Sequence, residues 1–198
     1  MPTQPRTRIS GATVPDLVLA AATRLFAEQG FEATSVQQIV DAAGVTKGAM
    51  YHYFSSKDEL LTASYGQLLD RQLEHVVEIS GRDLPVVERL RLIAEDLVLT
   101  TVAELERATA FHNSMHLLRA PSRTTIREQR RTFRRTFEDV VREGIAAGEL
   151  REDLSVDLVM FNFMGAIGYL PVWFTHDGPR TPDEVASAYG DLLIAALV

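Results

Sequence analysis

The sequence predicts an all-α protein of about nine helices, in which an N-terminal unit of three helices precedes a larger helical bundle. Apolar residues recur at helical spacing in every long stretch of the chain. Glycine and proline stand mainly where those stretches begin or end. No stretch shows the alternating pattern of a strand, and no internal repeat or low-complexity tract is present. These three observations together favour the all-α class.

Composition is typical of a water-soluble globular protein. The 198 residues are enough for one domain, or two small ones, with a real core. The first residues lack the apolar segment of a secretory signal, and no apolar run approaches the roughly 18 residues that a membrane span needs. The absence of cysteine excludes disulfides, thiolate metal sites and cysteine nucleophiles. We therefore expect a cytoplasmic protein without a membrane segment.

The chain begins with an arm and a scaffold helix. Residues 1–11 are polar and contain proline and glycine, which predicts a flexible arm. Thr13 and Asp16 form a capping box that starts a helix. That helix runs to about Gln29, and Gly30 ends it.

The next stretch, from Thr34 to Leu61, has the pattern of two short helices joined by a glycine turn. Thr34 is predicted to cap the first of them, with Gln37 completing a capping box. Gly44 stands where that helix must end in the left-handed region, and Thr46 can cap the second helix. The second helix buries Met50 and Phe54 and leaves an outer face of Lys47, Gly48, Ala49, Tyr51 and His52. A short helix with this outer face suits insertion into a DNA major groove.

Six further helices follow. The first five are each bounded by a glycine, a proline or a capping residue, and the fifth is very apolar and is expected to bend at Pro171. Pro121 is expected to break the chain between the third and fourth of these helices. The predicted ranges are 57–80, 83–102, 104–119, 122–147, 156–174 and 182–197.

The helix-turn-helix stretch resembles the DNA-binding segment of the TetR family of bacterial transcriptional regulators. The aromatic run from Tyr51 to Phe54, followed by Ser56 and Lys57, makes the resemblance more specific than a bare helix-turn-helix. The matching residues, without a gap, are Thr34, Ile39, Ala43, Gly44, Val45, Gly48, Tyr51, Tyr53, Phe54, Lys57 and Leu60. The resemblance implies a DNA-binding domain over 12–56 and a ligand-binding and dimerisation domain over 57–198.

The resemblance also implies roles for individual residues. Thr46, Lys47, Gly48, Tyr51 and His52 are expected to approach bases or nearby phosphates, and Ala49 to let the helix sit close to the groove. The expected contacts to the DNA backbone are made by Thr34, Ser35, Gln37, Tyr53 and Lys57. Arg6 and Arg8 of the arm either belong to a disordered terminus or reach phosphate or the minor groove.

Charge argues only weakly against DNA binding. The net charge of the chain is −7, but residues 1–61 hold five basic and six acidic residues, so most of the negative charge lies beyond them. Local placement of cations, rather than the total charge, must then make the binding face. An acidic body is also expected to suppress non-specific binding, which depends mainly on phosphate neutralisation.

In the resembling family a small-molecule effector binds the helical body and weakens DNA binding. Aromatic and methionine side chains along the body suggest a sizeable apolar ligand, although each of them is equally compatible with plain core packing. Arg130 falls on the apolar stripe between Ile126 and Phe133, where it forms either a structural salt bridge or a contact to an anionic ligand group. The candidate ligand-binding residues are Leu68, Phe111, His112, Met115, Arg130, Phe133, Phe137, Phe161 and Met164.

The last two helices carry more apolar surface than one subunit readily covers. The resemblance implies that the helices at 156–174 and 182–197 pair with their copies in a homodimer. Gly165 and Gly168 permit close approach of another helix. The segment from Asp153 through Ala188 also loosely resembles actinobacterial members of the family that respond to acyl-CoA thioesters of lipid or steroid catabolism.

An enzyme, or a helical small-molecule-binding protein without DNA-binding activity, is the alternative. His112 and His116 are spaced four residues apart, as in some metal sites, but the acidic residue of the metalloprotease pattern is missing between them. Pocket lining or an ordinary surface position is the other interpretation of this pair. We expect no catalytic residues, no metal and no cofactor, with operator DNA, an effector and a second copy of the chain as partners.

Overall fold

Ten α-helices and one short 3₁₀ turn, Met115–Leu117, make up residues 12–198, the part of the chain described by this computed structural model. The predicted all-α class is confirmed, and the helix count is about nine if the interrupted pair α8 and α9 is taken as one kinked helix. Arg6 and Arg8 of the predicted arm lie outside the described residues. The helices are α1 (Val14–Gln29), α2 (Val36–Ala43), α3 (Lys47–Tyr53), α4 (Lys57–Ser80), α5 (Val86–Ala103), α6 (Leu105–Ser114), α7 (Ala120–Ala147), α8 (Val156–Gly168), α9 (Leu170–Trp173) and α10 (Pro182–Leu197).

The predicted start of α1 is confirmed, whereas that of α2 is wrong by one residue. Thr13 and Asp16 form the capping box of α1. The cap of α2 is Ser35, whose side chain accepts from the Gln38 amide while Gln38 caps the Ser35 backbone in return. Thr34 is fully buried instead, and its hydroxyl donates to the Gly30 carbonyl over 2.7 Å. Two adjacent hydroxyl residues made the cap ambiguous in sequence, and burial of the first decides it.

Two apolar clusters form the core, and α4 passes through both. The first cluster joins α1–α3 to the start of α4 and also takes in Phe111, Leu118 and Ile126 from α6, the 3₁₀ connection and α7. The second cluster joins the rest of α4 to α5, α7, α8, α9 and α10. Each fully buried Leu or Ile in these clusters contributes about 1.5–3 kcal/mol through removal from water. The N-terminal three helices therefore rest on side chains of the body, and the boundary between residues 56 and 57 stays a prediction.

The connection between α6 and α7 differs from its prediction. α6 ends at Ser114 rather than near Arg119, and the 3₁₀ turn follows it. Pro121 does not break a helix but lies in the first turn of α7. The first turn tolerates proline because its amides have no partner within the helix. The prediction assigned to Pro121 the commoner role of a breaker, which the sequence alone does not separate from that of an initiator.

The apolar stretch Val156–Trp173 corrects the expectation that no run is long enough for a membrane span. Its 18 residues have a mean hydropathy of 1.4, so by length and composition alone it could cross a membrane. Only 22% of the stretch is buried in the fold. The helix is interrupted at Tyr169, and Pro171 opens the short helix α9, close to the predicted bend. A β-carbon built on Gly165 or Gly168 would meet no described atom of another helix within 4 Å, so the protomer leaves open the side of α8 toward which it would point.

Candidate functional site

The outer face of α3 is exposed as the sequence predicts. Thr46 caps the helix by accepting from the Ala49 amide over 3.1 Å, and Met50 anchors the opposite face in the core. Tyr51 is 52% exposed, and Tyr53 is almost as open to solvent. Lys47, Gly48 and His52 are exposed too, and the His52 ring meets the edge of the Tyr53 ring at 4.8 Å. This face therefore offers a cation, two phenol hydroxyls and an imidazole on one surface.

The remaining residues predicted to contact DNA differ in their exposure to solvent. Ser35 and Gln37 lie on the exposed side of α2, where the Gln37 amide nitrogen donates to Asp41 over 2.8 Å. Ala49 is half-buried. Thr34 is a correction, because its fully buried side chain is committed to the α1–α2 turn and does not reach a surface.

Lys57 is hydrogen-bonded to the backbone of the headpiece, the N-terminal unit formed by α1–α3. Its ammonium donates to the carbonyls of Phe31 and Thr34 over 2.8 and 2.6 Å and lies 4.7 Å from the centre of the Phe31 ring. Burial lowers the pKa of Lys57 from its ordinary value, and Glu32 and Asp58 oppose that shift. These contacts explain a lysine in the first turn of α4, where the helix dipole disfavours a cation. A contact between its third N–H and a phosphate stays a prediction.

A cavity of about 800 Å³ opens in the body between α4, α6, α7 and α8. Its wall is mainly apolar, as for most small-molecule sites. Eight of the nine residues predicted to bind a ligand line it: Leu68, Phe111, His112, Met115, Arg130, Phe133, Phe161 and Met164. The ninth, Phe137, is a correction. It is fully buried against Phe163, with ring centres 6.0 Å apart, so it belongs to the core one turn beyond the cavity.

One wall of the cavity carries five arginines of α7. Their spacing places them along one side of the helix, beside the buried stripe of Ile126 and Phe133. Four of these arginines were not predicted as cavity residues. The same 3.6-residue period that identified the apolar stripe also places these arginines beside it, so their position could have been found from the sequence. The five are Arg123, Arg127, Arg130, Arg131 and Arg134.

Arg130 joins three helices at the edge of this cavity. Its guanidinium donates to the Tyr65 hydroxyl over 2.9 Å and lies 5.2 Å from the centre of the Phe111 ring. The Tyr65 and Phe111 rings stack at 3.7 Å and are nearly parallel. Arg130 forms no salt bridge with any acid among residues 12–198, and its Nε has no hydrogen-bond partner there. The salt-bridge interpretation is therefore wrong within the described chain.

The histidine pair is split between two elements. His112 lies on α6, and its Nδ1 is 2.9 Å from the Gly168 carbonyl, which ties α6 to the end of α8. His116 lies on the 3₁₀ turn. Within residues 12–198 no three His, Asp or Glu side chains are grouped as metal ligands would be. The interpretation of His112 as pocket lining fits this position.

Comparison with known proteins supports this description of both parts of the chain. The family model described as "Bacterial regulatory proteins, tetR family" matches residues 18–63. A second model, "Tetracyclin repressor-like, C-terminal domain", matches residues 83–197.

Individual relatives are similar over almost their whole length. The HTH-type transcriptional repressor KstR2 of Rhodococcus jostii is 32% identical over 190 residues, which cover 91% of this chain and 89% of the relative. The solved structure of the ketosteroid transcriptional regulator KstR2 of Mycobacterium tuberculosis has a TM-score of 0.81 and 26% identity, covering 96% of this chain and 99% of that one.

A third structure, AibR in complex with isovaleryl coenzyme A and operator DNA, has a TM-score of 0.79. At 24% identity, over 92% of this chain and 98% of that one, it shows the shared fold. Membership of a family of soluble regulators also means that the apolar α8 belongs to a soluble protein. The chain belongs to the TetR family of bacterial transcriptional regulators, and it is a helix-turn-helix DNA-binding regulator rather than an enzyme.

Proposed function

We propose that the protein is a cytoplasmic repressor whose homodimer binds a palindromic operator and is released by an acyl-CoA thioester. The observation that carries the ligand class is the cavity, which combines a mainly apolar wall with a row of five arginines. An acyl chain matches the apolar wall, and the phosphates of coenzyme A match the guanidinium groups. The structural neighbour AibR was solved in complex with isovaleryl coenzyme A, which supports the choice of a coenzyme A ester among anionic amphiphiles.

The proposed DNA contacts follow from exposure. Lys47, Tyr51 and His52 approach base edges or phosphates from α3, and Tyr53 holds the backbone at its end. Gly48 brings the helix close to the groove wall, since a β-carbon there would meet only the Thr46 hydroxyl, at 3.9 Å. Its lack of a side chain therefore has no intramolecular cause, and close approach of DNA gives one. Ser35 and Gln37 meet phosphates from α2.

The proposed dimer forms through α8, α9 and α10. Leu158, Val172 and Leu192 are large apolar side chains that lie open to solvent on these helices. At the small residues Gly165 and Gly168 a β-carbon would meet no neighbouring atom of residues 12–198 of the protomer, which suits the approach of a helix from a second copy. Two copies related by a two-fold axis place two α3 helices about one DNA turn, roughly 34–36 Å, apart.

The proposed coupling passes through α4, which begins four residues after α3 ends. Tyr65 of α4 and Phe111 of α6 both touch Arg130, and Phe111 packs in the cluster that supports α1–α3. A ligand phosphate that recruits Arg130 competes with these contacts and thereby changes the packing of α4 and α6 beneath the headpiece. A coupling free energy of about 1–3 kcal/mol is typical of such systems.

Selection of DNA sites from a random pool, at several salt concentrations, tests the DNA-binding half of the proposal. We expect a palindrome whose half-sites lie about ten base pairs apart, with affinity that falls steeply as salt rises. Failure to enrich any sequence at low salt contradicts it.

A further inference from the structure

Gln72 places a buried carboxamide in the apolar wall of the cavity. It lies on α4, one turn beyond Leu68 and Leu69, and is only 5% exposed. The same wall is formed by Phe133, Met160 and other apolar side chains. A buried polar side chain here is unusual because unpaired polar groups are costly in apolar surroundings.

Two threonines of α5 fix which end of the carboxamide faces the cavity. The Gln72 nitrogen, Nε2, lies 3.1 Å from the hydroxyl oxygens of both Thr100 and Thr101. Each hydroxyl already donates its one proton to a carbonyl of α5: Thr100 to Asp96 over 2.8 Å, and Thr101 to Leu97 over 2.7 Å. Both hydroxyls are therefore acceptors toward Gln72, and only the NH2 group of the amide can satisfy them.

The amide oxygen is left without a partner. Both NH2 protons are used by the threonines, and no donor within residues 12–198 reaches Gln72 Oε1. Unlike some other unpartnered polar atoms of the protein, this oxygen is not sealed from solvent. Since Gln72 lines the cavity and is otherwise buried, its acceptor opens on the cavity.

The neighbouring glutamine, Gln129, differs in this respect. Its Nε2 donates to Asp70 over 2.9 Å, and its unpartnered oxygen is sealed from solvent beside Gly66. Gln72 is thus the carboxamide whose orientation is fixed and whose acceptor a ligand can reach.

We propose that Gln72 is a specificity-determining residue that accepts a hydrogen bond from a hydroxyl group on the apolar part of the effector. The effector is then a hydroxylated acyl or alicyclic group rather than a plain saturated chain. Gln72 lies seven residues beyond Tyr65 on α4, roughly 10 Å along the helix from the level of Arg130. The hydroxyl therefore belongs to the buried part of the ligand, well away from the anionic group. The inference rests on the proposed function only in that the cavity holds the effector.

The test compares ligands that differ by one hydroxyl, in binding to the purified full-length protein by calorimetry. The first set is dodecanoyl-CoA, 3-hydroxydodecanoyl-CoA and 12-hydroxydodecanoyl-CoA, which vary the hydroxyl position. The second set, 1-decanol and its methyl ether, contains no coenzyme A. Its two members differ in that only the alcohol has a hydroxyl proton to donate. Gln72→Met removes the acceptor at nearly constant volume, and Gln67→Met makes the same change at an exposed position of α4.

We expect at least one hydroxylated ester to bind about fivefold more tightly than dodecanoyl-CoA, and decanol more tightly than its ether. Gln72→Met abolishes both preferences, whereas Gln67→Met retains them. The double variant Thr100→Val/Thr101→Val keeps Gln72 but frees its amide to turn, so the preference for donors falls there as well. That variant provides a second test if Gln72→Met does not fold.

The outcomes separate this inference from the proposed ligand class. Equal binding within both sets, or preferences that survive Gln72→Met, overturn the role of Gln72 and leave the acyl-CoA proposal standing. If no coenzyme A ester binds but the decanol preference depends on Gln72, the inference holds and the acyl-CoA proposal fails.

Discussion

Arg130 on α7 donates a 2.9 Å hydrogen bond to the hydroxyl of Tyr65 on α4. This bond connects the arginine wall of the cavity to the helix that begins just after α3. Its Nη2 makes the one hydrogen bond of the guanidinium to another described side chain, and its unpartnered Nε is sealed from solvent, so the donors left for an anion are the remaining N–H groups of Nη1 and Nη2. Release of DNA by a ligand then requires no long chain of contacts, since the ligand and α4 share one side chain.

Arg130→Met should raise the concentration of dodecanoyl-CoA needed for half-release of the operator by at least about tenfold. The reason is the loss of a charge-assisted hydrogen bond to the ligand. Operator release followed by fluorescence anisotropy measures the effect. Arg135→Met is the control, because Arg135 is an exposed residue of α7 that does not line the cavity. Equal shifts in the two variants would show that only the overall charge of α7 matters.

Lys47→Met should weaken operator binding and reduce the slope of log affinity against log salt by about one, since one phosphate contact is lost. The dimer should remain intact. Titrations at several salt concentrations give the slope. Arg82→Met, an exposed change in the connection just after α4, should leave both the affinity and the slope unaltered. An unchanged slope for Lys47→Met would remove Lys47 from the DNA interface.

Lys57→Met should lower the free energy of unfolding by about 1–3 kcal/mol, because the carbonyls of Phe31 and Thr34 lose their donor. Urea denaturation measures the difference. The same substitution at the exposed Lys47 should change stability by less than about 0.5 kcal/mol. Equal stability of the two variants would mean that Lys57 does not brace the headpiece, and its main role would then lie at the phosphate backbone.

Leu192→Arg should convert the dimer to monomer without unfolding it. Leu192 is 69% exposed on α10, so an arginine there costs the protomer little but places a charge in an apolar interface. Sedimentation velocity measures the oligomeric state. Val77→Arg makes the same kind of change at an exposed apolar residue of α4 and should leave the dimer unaffected. A dimeric Leu192→Arg would exclude α10 from the interface.

Gly165→Leu tests whether the small size of Gly165 serves the approach of a second copy or packing within the protomer. A β-carbon at this exposed position meets no neighbouring atom of the described protomer within 4 Å, so the thermal stability of the monomer should be unchanged. Dimer dissociation should become easier, because the added side chain fills the space that a second helix needs. Loss of monomer stability in a variant that also carries Leu192→Arg would point to packing within the protomer instead.

Local patterns predicted the helices and the exposed outer face of α3 well. The caps at Thr13 and Thr46, and the alternation of Met50 with exposed neighbours, involve residues close in sequence, so these patterns can be recognised without the fold. Thr34 and Pro121 were misassigned because each fits two local roles, and tertiary burial or a preceding turn decides between them.

The cavity was predictable in character but not in its polar details. Aromatic and methionine residues on the helical stripes indicated a ligand site, yet Phe137 belongs to the core because the cavity ends one turn before it. Gln72 gave no signal, because a glutamine on a long helix is usually a surface residue. Its role depends on Thr100 and Thr101, which come from a different helix and are brought beside it only by folding.

The most direct measurement is release of the selected operator by three ligands: dodecanoyl-CoA, coenzyme A alone and dodecanoate alone. We expect the thioester to release the DNA at a far lower concentration than either coenzyme A or dodecanoate alone, because the apolar wall and the arginines act on one ligand. Persistent binding of DNA at saturating thioester, or equal release by coenzyme A alone, would contradict it.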